Sequence, residues 1–184
     1  MKAARHPFNI PNTLTIARLL AVFPVICLAR AGHGAAAAAL FVAAMLTDCF
    51  DGWYAKRHGR ETALGLYLDP VADKIVILAL LYELAHAGNI DWAVPHLFLA
   101  RELLQNAVRN AAARRGQVVG ANWMGKTKAI LQTVLVAWGI AAPALRAGPL
   151  QDGVRPAAWI VLAVAWCFFA RFAWVNKKLL GARA

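Results

Sequence analysis

The chain is divided into six apolar stretches of about 20 residues, the length an α-helix needs to cross the hydrocarbon core of a bilayer. They run Pro11 to Ala31, Ala35 to Lys56, Leu64 to His86, Trp92 to Ala113, Met124 to Leu145 and Pro156 to Val175. The breaks at Ala31-Gly32-His33-Gly34, Arg57 to Thr62, Ala87-Gly88-Asn89, Arg114 to Gly120 and Arg146 to Gly153 are short and marked by glycine or charge. A hydrophobic content of 61% lies above the roughly 45–50% usual for soluble domains. The expected architecture is all-α: an integral membrane protein built as a six-transmembrane-helix bundle. Such tight joints make residues 1–184 a single membrane domain, led by a short cytoplasmic or interfacial segment 1–10, with no internal repeat. Lys2 and Arg5 before an apolar run ending Ala29-Arg30-Ala31 have the outline of a secretory signal. That run contains Asn12, Thr15 and Arg18 and is followed by further membrane-like stretches, so it is read as the first span.

The chain has 20 Lys and Arg against 9 Asp and Glu, a net charge of +11, which in an apolar chain points to anionic headgroups and a phosphorylated substrate, not to nucleic acid. With the N-terminus inside, the cytoplasmic side receives Lys2, Arg5, Lys56, Arg57, Arg60, Arg109, Arg114, Arg115, Lys177, Lys178 and Arg183, with Lys126 and Lys128 nearby; Arg30, Arg146 and Arg155 stay outside. Both termini and the second and fourth connections are therefore expected in the cytoplasm. Cys27, Cys49 and Cys167 offer neither a disulfide framework nor zinc spacing. The five histidines are scattered and read as non-catalytic, and Trp53, Trp92, Trp123 and Trp174 fall near span ends as an interfacial belt would.

Against this background, Thr47 to Lys74 carries four aspartates: Asp48, Asp51, Asp69 and Asp73. Asp48 and Asp51 share one helix face, and Gly65, Asp69 and Asp73 another, at the cytoplasmic ends of two consecutive spans. Converging carboxylates at that depth need partners. Lys74 and Arg101 could neutralise one or two of them; a pair of divalent cations serves four better, and all-oxygen ligation suits Mg²⁺ or Mn²⁺. Gly52, Ala55 and Gly65 beside the carboxylates leave room for a phosphate-containing nucleotide, on which two metals can polarise a phosphoryl group.

The stretch resembles the signature of the CDP-alcohol phosphatidyltransferases, D-x2-D-G-x2-A-R-x8-G-x3-D-x3-D, through Asp48, Asp51, Gly52, Ala55, Lys56, Gly65, Asp69 and Asp73 with every spacing kept. Lys56 stands where the family has arginine; it keeps the charge and loses the planar fork, which the adjacent Arg57 could offer. "NIPNTLTIAR", "LDPVADK", "ARELLQNAVR" and "GKTKAILQ" extend the resemblance over nearly the whole chain, towards bacterial members whose acceptor is sn-glycerol 3-phosphate. The resemblance implies phosphatidyl transfer from CDP-diacylglycerol with release of CMP, in the bacterial inner membrane, by a homodimer. It implies that Asp48, Asp51, Asp69 and Asp73 hold two metals, with Asp73 also the general base. Gly52, Ala55, Lys56 and Gly65 would border the nucleotide, and Asn12, Thr15 and Arg18 would complete its pocket.

The acceptor's own phosphate needs a cationic seat, for which Arg109, Lys126 and Lys128 are the expected residues, with Arg101 and Glu102 as contributors. Two other readings stay open: a cardiolipin synthase of the same family, taking phosphatidylglycerol as acceptor, and a proton- or cation-coupled transporter. The transporter requires a polar path through the bundle, whereas Ala87 to Asp91 offers one acid and no base on the far side.

Overall fold

The structure is a computed structural model. It describes the backbone of residues 10–58, 63–114, 123–145 and 148–176, and their side chains outside 10–14, 48–58 and 63–70. Every regular element among the described residues is helical: α1 (Ile10–Arg30), α2 (Gly34–His58), α3 (Ala63–His86), α4 (Ala93–Arg114), α5 (Trp123–Ala141), the short α6 (Gly148–Asp152) and α7 (Val154–Val175).

Glycine sets two of the sharpest reversals. Gly32, at φ +82°, ends α1 in the left-handed region; its N–H reaches the Ala29 carbonyl at 3.1 Å and the His33 N–H reaches Leu28 at 2.9 Å. Gly88, at φ +78°, ends α3 in the same way, on Ala85 at 3.1 Å, with the Asn89 N–H on Leu84 at 2.9 Å. Both are Schellman caps, which a side chain at the left-handed position would strain. The fifth long helix ends at Ala141, a turn earlier than the Leu145 expected from sequence. Pro143 explains the difference, because it has no N–H to continue the ladder and disfavours helical geometry in the residue before it.

The six long helices form a closed circuit of neighbours, in the order α1, α2, α5, α7, α4, α3 and back to α1, while α3 also touches α5 across the middle. Small residues occupy tight contacts: Ala37, Ala72, Ala112, Ala142, Ala158 and Ala165 are wholly buried. The start of α2 comes so near the end of α5 that a Cβ on Gly34 would lie 2.4 Å from the Ile140 carbonyl oxygen. Backbone cannot move aside as a side chain can, so Gly34→Ala is expected to cost about 1–3 kcal/mol. Thermal unfolding of the purified variant would measure this, with Gly148→Ala, which meets nothing within 4 Å, as the unchanged control.

Among the described residues, only Gly148–Val175 is long and apolar enough to pass as a membrane crossing on length and composition alone. This is narrower than the six crossings expected from sequence: the described apolar part of α2, Gly34–Thr47, is shorter than a crossing, and other long helices carry polar residues inward, with Thr15 and Arg18 on α1, Arg101, Glu102 and Gln105 on α4, and Lys128 and Gln132 on α5 all buried. Their outer faces show Leu20, Phe23, Ile75, Ile130 and Val134.

Candidate functional site

The buried polar residues gather around a cavity of about 440 Å³ inside the helix circuit, walled by α2, α3, α4 and α5. From α3 it is lined by Asp73 and Lys74, from α4 by Arg101, Glu102, Gln105 and Arg109, and from α5 by Lys126, Lys128 and Gln132. Helical repeat explains the selection: Arg101, Gln105 and Arg109 are each four residues apart, as are Lys128 and Gln132, so each set lies on one face.

Asp73 is held from α1. The Arg18 Nη1 donates to its Oδ1 at 2.7 Å, and the guanidinium is almost wholly buried while the carboxylate stays partly open. Thr15, one turn earlier on α1, is buried as well. Lys74, the next residue, turns to α4, where its Nζ donates to Asn106 Oδ1 at 2.9 Å and lies 3.5 Å from Glu102 Oε2.

Glu102 is the hub of the cationic side. Arg101 Nη1 donates to its Oε1 at 2.7 Å, and Lys128 Nζ donates to the same oxygen. Arg101 is further fixed by Nε donating to the Ala165 carbonyl at 3.3 Å. Three cations around one carboxylate leave a net of two positive charges in the cluster. Arg109 adds another; its guanidinium carbon stands 6.0 Å from the centre of the Phe172 ring, and its Nε is buried without a partner. Lys126 is exposed on the cavity wall. Unbalanced charge in a poorly solvated site is costly, and an anion is the ligand that relieves it.

The sequence-predicted residues thus divide into three groups. Asp73, Arg101, Arg109, Lys126 and Lys128, with Glu102, border one cavity. Thr15 and Arg18 are buried, and Arg18 bonds Asp73. The side chains of Asn12, Asp48, Asp51, Ala55, Lys56 and Asp69 and the surroundings of Gly52 and Gly65 lie outside the described residues; their backbones belong to α1, α2 and α3. Lys74 and Arg101, weighed in the sequence as partial neutralisers of the aspartates, engage Glu102. Their side chains leave α3 and α4 on the sides that face each other, whereas Asp73 points to α1. Gln105 and Gln132 were missed, although each sits four residues from a residue already chosen. An uncharged amide carries little signal until that register is applied.

No group of three or more His, Cys, Asp or Glu side chains that could hold a metal occurs among the described residues. The donor chemistry that is described fits a hard cation: Asp73 offers carboxylate oxygen, and among the described residues no cysteine or histidine lines the cavity.

A second hollow of about 300 Å³ lies at the opposite end of the bundle, near Arg30, Glu83 and Asn89. There Arg30 and Glu83 neutralise each other through paired hydrogen bonds of 2.7 and 2.6 Å. Along the helices, fully buried Leu80, Leu81, Phe98, Leu135 and Val136 separate the two hollows. That apolar layer opposes the through-going polar path a transporter needs.

Comparison with known proteins finds a family and relatives that cover most of the chain. Residues 8–171 match the family described as CDP-alcohol phosphatidyltransferase. A Mycobacterium tuberculosis protein (strain CDC 1551 / Oshkosh) named "Probable phosphatidylglycerophosphate synthase" is 38% identical over 164 residues, covering 85% of this chain and 74% of that protein. Proteins named "CDP-diacylglycerol--glycerol-3-phosphate 3-phosphatidyltransferase" are similar too. The one from Rickettsia felis is 39% identical over 128 residues, 67% of this chain and 70% of its own. The one from Escherichia coli K12 is 35% identical over 139 residues, 71% of this chain and 76% of its own.

Proposed function

The chain belongs to the CDP-alcohol phosphatidyltransferase family, and from that membership we propose that it transfers the phosphatidyl group of CDP-diacylglycerol to sn-glycerol 3-phosphate, giving phosphatidylglycerophosphate and CMP. One observation carries the choice of acceptor: a single cavity joins Asp73 to a net-positive cluster of Lys74, Arg101, Glu102 and Lys128, with Arg109 and Lys126 beside it. An acceptor with a phosphate dianion at one end and a hydroxyl at the other matches that polarity.

In this reading Asp48, Asp51, Asp69 and Asp73 hold two divalent cations, Mg²⁺ or Mn²⁺, which when bound supply positive charge to the phosphoryl oxygens. Gly52, Ala55, Lys56 and Gly65, with Asn12 and Thr15, border the cytidine nucleotide. Arg109, Lys126, Lys128 and Arg101 seat the acceptor's phosphate, and arginine's fork matches two of its oxygens. Seating fixes the free primary hydroxyl towards Asp73. The hydroxyl oxygen bonds to the phosphorus that carries diacylglycerol, the bond from that phosphorus to the CMP oxygen breaks, and the hydroxyl proton passes to the Asp73 carboxylate. Arg18 keeps that carboxylate oriented through its 2.7 Å hydrogen bond.

A bilayer setting is supported by the inside-out distribution of side chains. Arginine, glutamate, lysine and glutamine are buried, while Leu20, Phe23, Ile130, Val134 and Ile160 are exposed. Trp92, Trp123 and Trp174 stand exposed near helix ends, as at a membrane interface. We place the enzyme in the bacterial inner membrane as a homodimer, with both termini and the cavity on the cytoplasmic side.

The deciding experiment measures CMP release from CDP-diacylglycerol and Mg²⁺ with glycerol 3-phosphate, phosphatidylglycerol, inositol phosphate or serine as acceptor. Release with glycerol 3-phosphate alone is expected. Release driven by phosphatidylglycerol would make it a cardiolipin synthase, and no release from folded protein with any acceptor would remove the transferase reading. Chelation with EDTA is expected to stop release, and added Mg²⁺ to restore it. Arg109→Ala and Lys126→Ala should each raise the KM for glycerol 3-phosphate by roughly tenfold or more, the worth of one charge-assisted contact. Equal losses in the use of both substrates would take these residues out of the acceptor seat.

A further inference from the structure

Gln105 lies on α4 midway between Arg101 and Arg109, one turn from each, and lines the same cavity. Only 8% of it is exposed, and its Oε1 is buried with no hydrogen-bond partner. A carbonyl left in that condition is uncommon in a folded protein and calls for a missing donor. Three of the neighbouring cations bond elsewhere, Lys74 to Asn106, Arg101 to Glu102 and the Ala165 carbonyl, and Lys128 to Glu102, and the Arg109 Nε–H does not reach this oxygen. A phosphate dianion cannot supply the donor either, since it brings only oxygens. It can satisfy the unpartnered Nε of Arg109, one turn away, but not the Oε1 of Gln105. A hydroxyl carried by the same ligand is a donor that could reach it.

We propose that Gln105 is a specificity-determining residue that accepts a hydrogen bond from a hydroxyl of the acceptor not consumed in the reaction. The site therefore selects phosphomonoesters of small polyols over otherwise equal phosphomonoesters with a single hydroxyl. Gln132, buried on the wall formed by α5, brings a second amide to the same space. The proposal rests on the acceptor reading above: glycerol 3-phosphate has one hydroxyl to react and a secondary one left over for Gln105.

The test uses the full chain, CDP-diacylglycerol and two acceptors, sn-glycerol 3-phosphate and 3-hydroxypropyl phosphate, which lacks only the secondary hydroxyl. The wild-type protein is expected to favour glycerol 3-phosphate by roughly ten- to a hundredfold in kcat/KM, the range for one buried hydrogen bond to substrate. Gln105→Met, similar in length and without the carbonyl, should bring glycerol 3-phosphate down to the level of 3-hydroxypropyl phosphate. The slower acceptor's kcat/KM and the KM for CDP-diacylglycerol should stay within about twofold. Gln105→Glu, which keeps an accepting oxygen, should retain the preference for the secondary hydroxyl. Equal loss on both acceptors in Gln105→Met would reduce Gln105 to a structural role and overturn the proposal. So would a wild-type protein that uses both acceptors equally, a result that needs no variant to fold. Failure of the wild type to release CMP with either acceptor, with release on another, would instead refute the acceptor reading and this proposal with it.

Discussion

Asp73→Asn is expected to lower the rate of CMP release by about a thousandfold or more, within the range for loss of a positioned base and above it if a metal contact is lost as well. Asparagine has nearly the same shape, and its carbonyl oxygen can still accept the Arg18 Nη1 hydrogen now given to Asp73. The bundle should therefore fold, and its unfolding temperature should shift by only a few degrees. What is lost is the anionic oxygen that can take up a proton. Because Asp73 is partly open while Arg18 is buried, the change falls on the cavity side of the pair. Initial rates at saturating CDP-diacylglycerol and glycerol 3-phosphate, together with a melting curve, measure both quantities. A folded variant with full activity would remove Asp73 from the chemistry.

Glu102→Leu should have the largest effect on stability. The carboxylate is buried and faces Lys74, Arg101 and Lys128, of which the last two are themselves buried. Removing one partner of a buried ion pair leaves its cation uncompensated and costs on the order of 3–5 kcal/mol. For a chain of this size that corresponds to a fall in melting temperature of about 10 °C. Lys128→Met in the same chain should recover part of the loss, since it removes one of the two buried cations that donate to Glu102 Oε1. Recovery would separate a charge effect from a packing defect. A melting temperature unchanged by Glu102→Leu would mean that the three cations are not balanced by this carboxylate.

Much of the helix framework is legible in the sequence because its boundaries have local causes. The Gly32 and Gly88 reversals are positions where the backbone turns left-handed, and the expected and observed ends of α1 and α3 agree to within one residue. Pro143 could have corrected the end of α5, had its missing N–H been weighed against the apolar run that continues past it. The short α6 inside the expected Arg146 to Gly153 break has no apolar periodicity to announce it. In the site, the aspartate spacing stands out because it is a fixed pattern within two consecutive helices. The Glu102 hub does not, since its partners Lys74 and Lys128 are 28 and 26 residues away and only the folding of α3, α4 and α5 against one another decides which carboxylate they meet. Gln105 lies between these cases: its register was readable, but its unpartnered oxygen emerges only from the packed structure.

Asp73 and Lys74 are consecutive on α3, yet one is tied to α1 and the other to α4. Successive side chains on a helix diverge by about 100°, so α3 works as a crank with two arms. A twist of α3 about its own axis that moves Asp73 towards or away from Arg18 must swing Lys74 past Asn106 and Glu102 by the same angle. The Asp73 carboxylate and the bracing of the cation cluster are thus geared to one shaft.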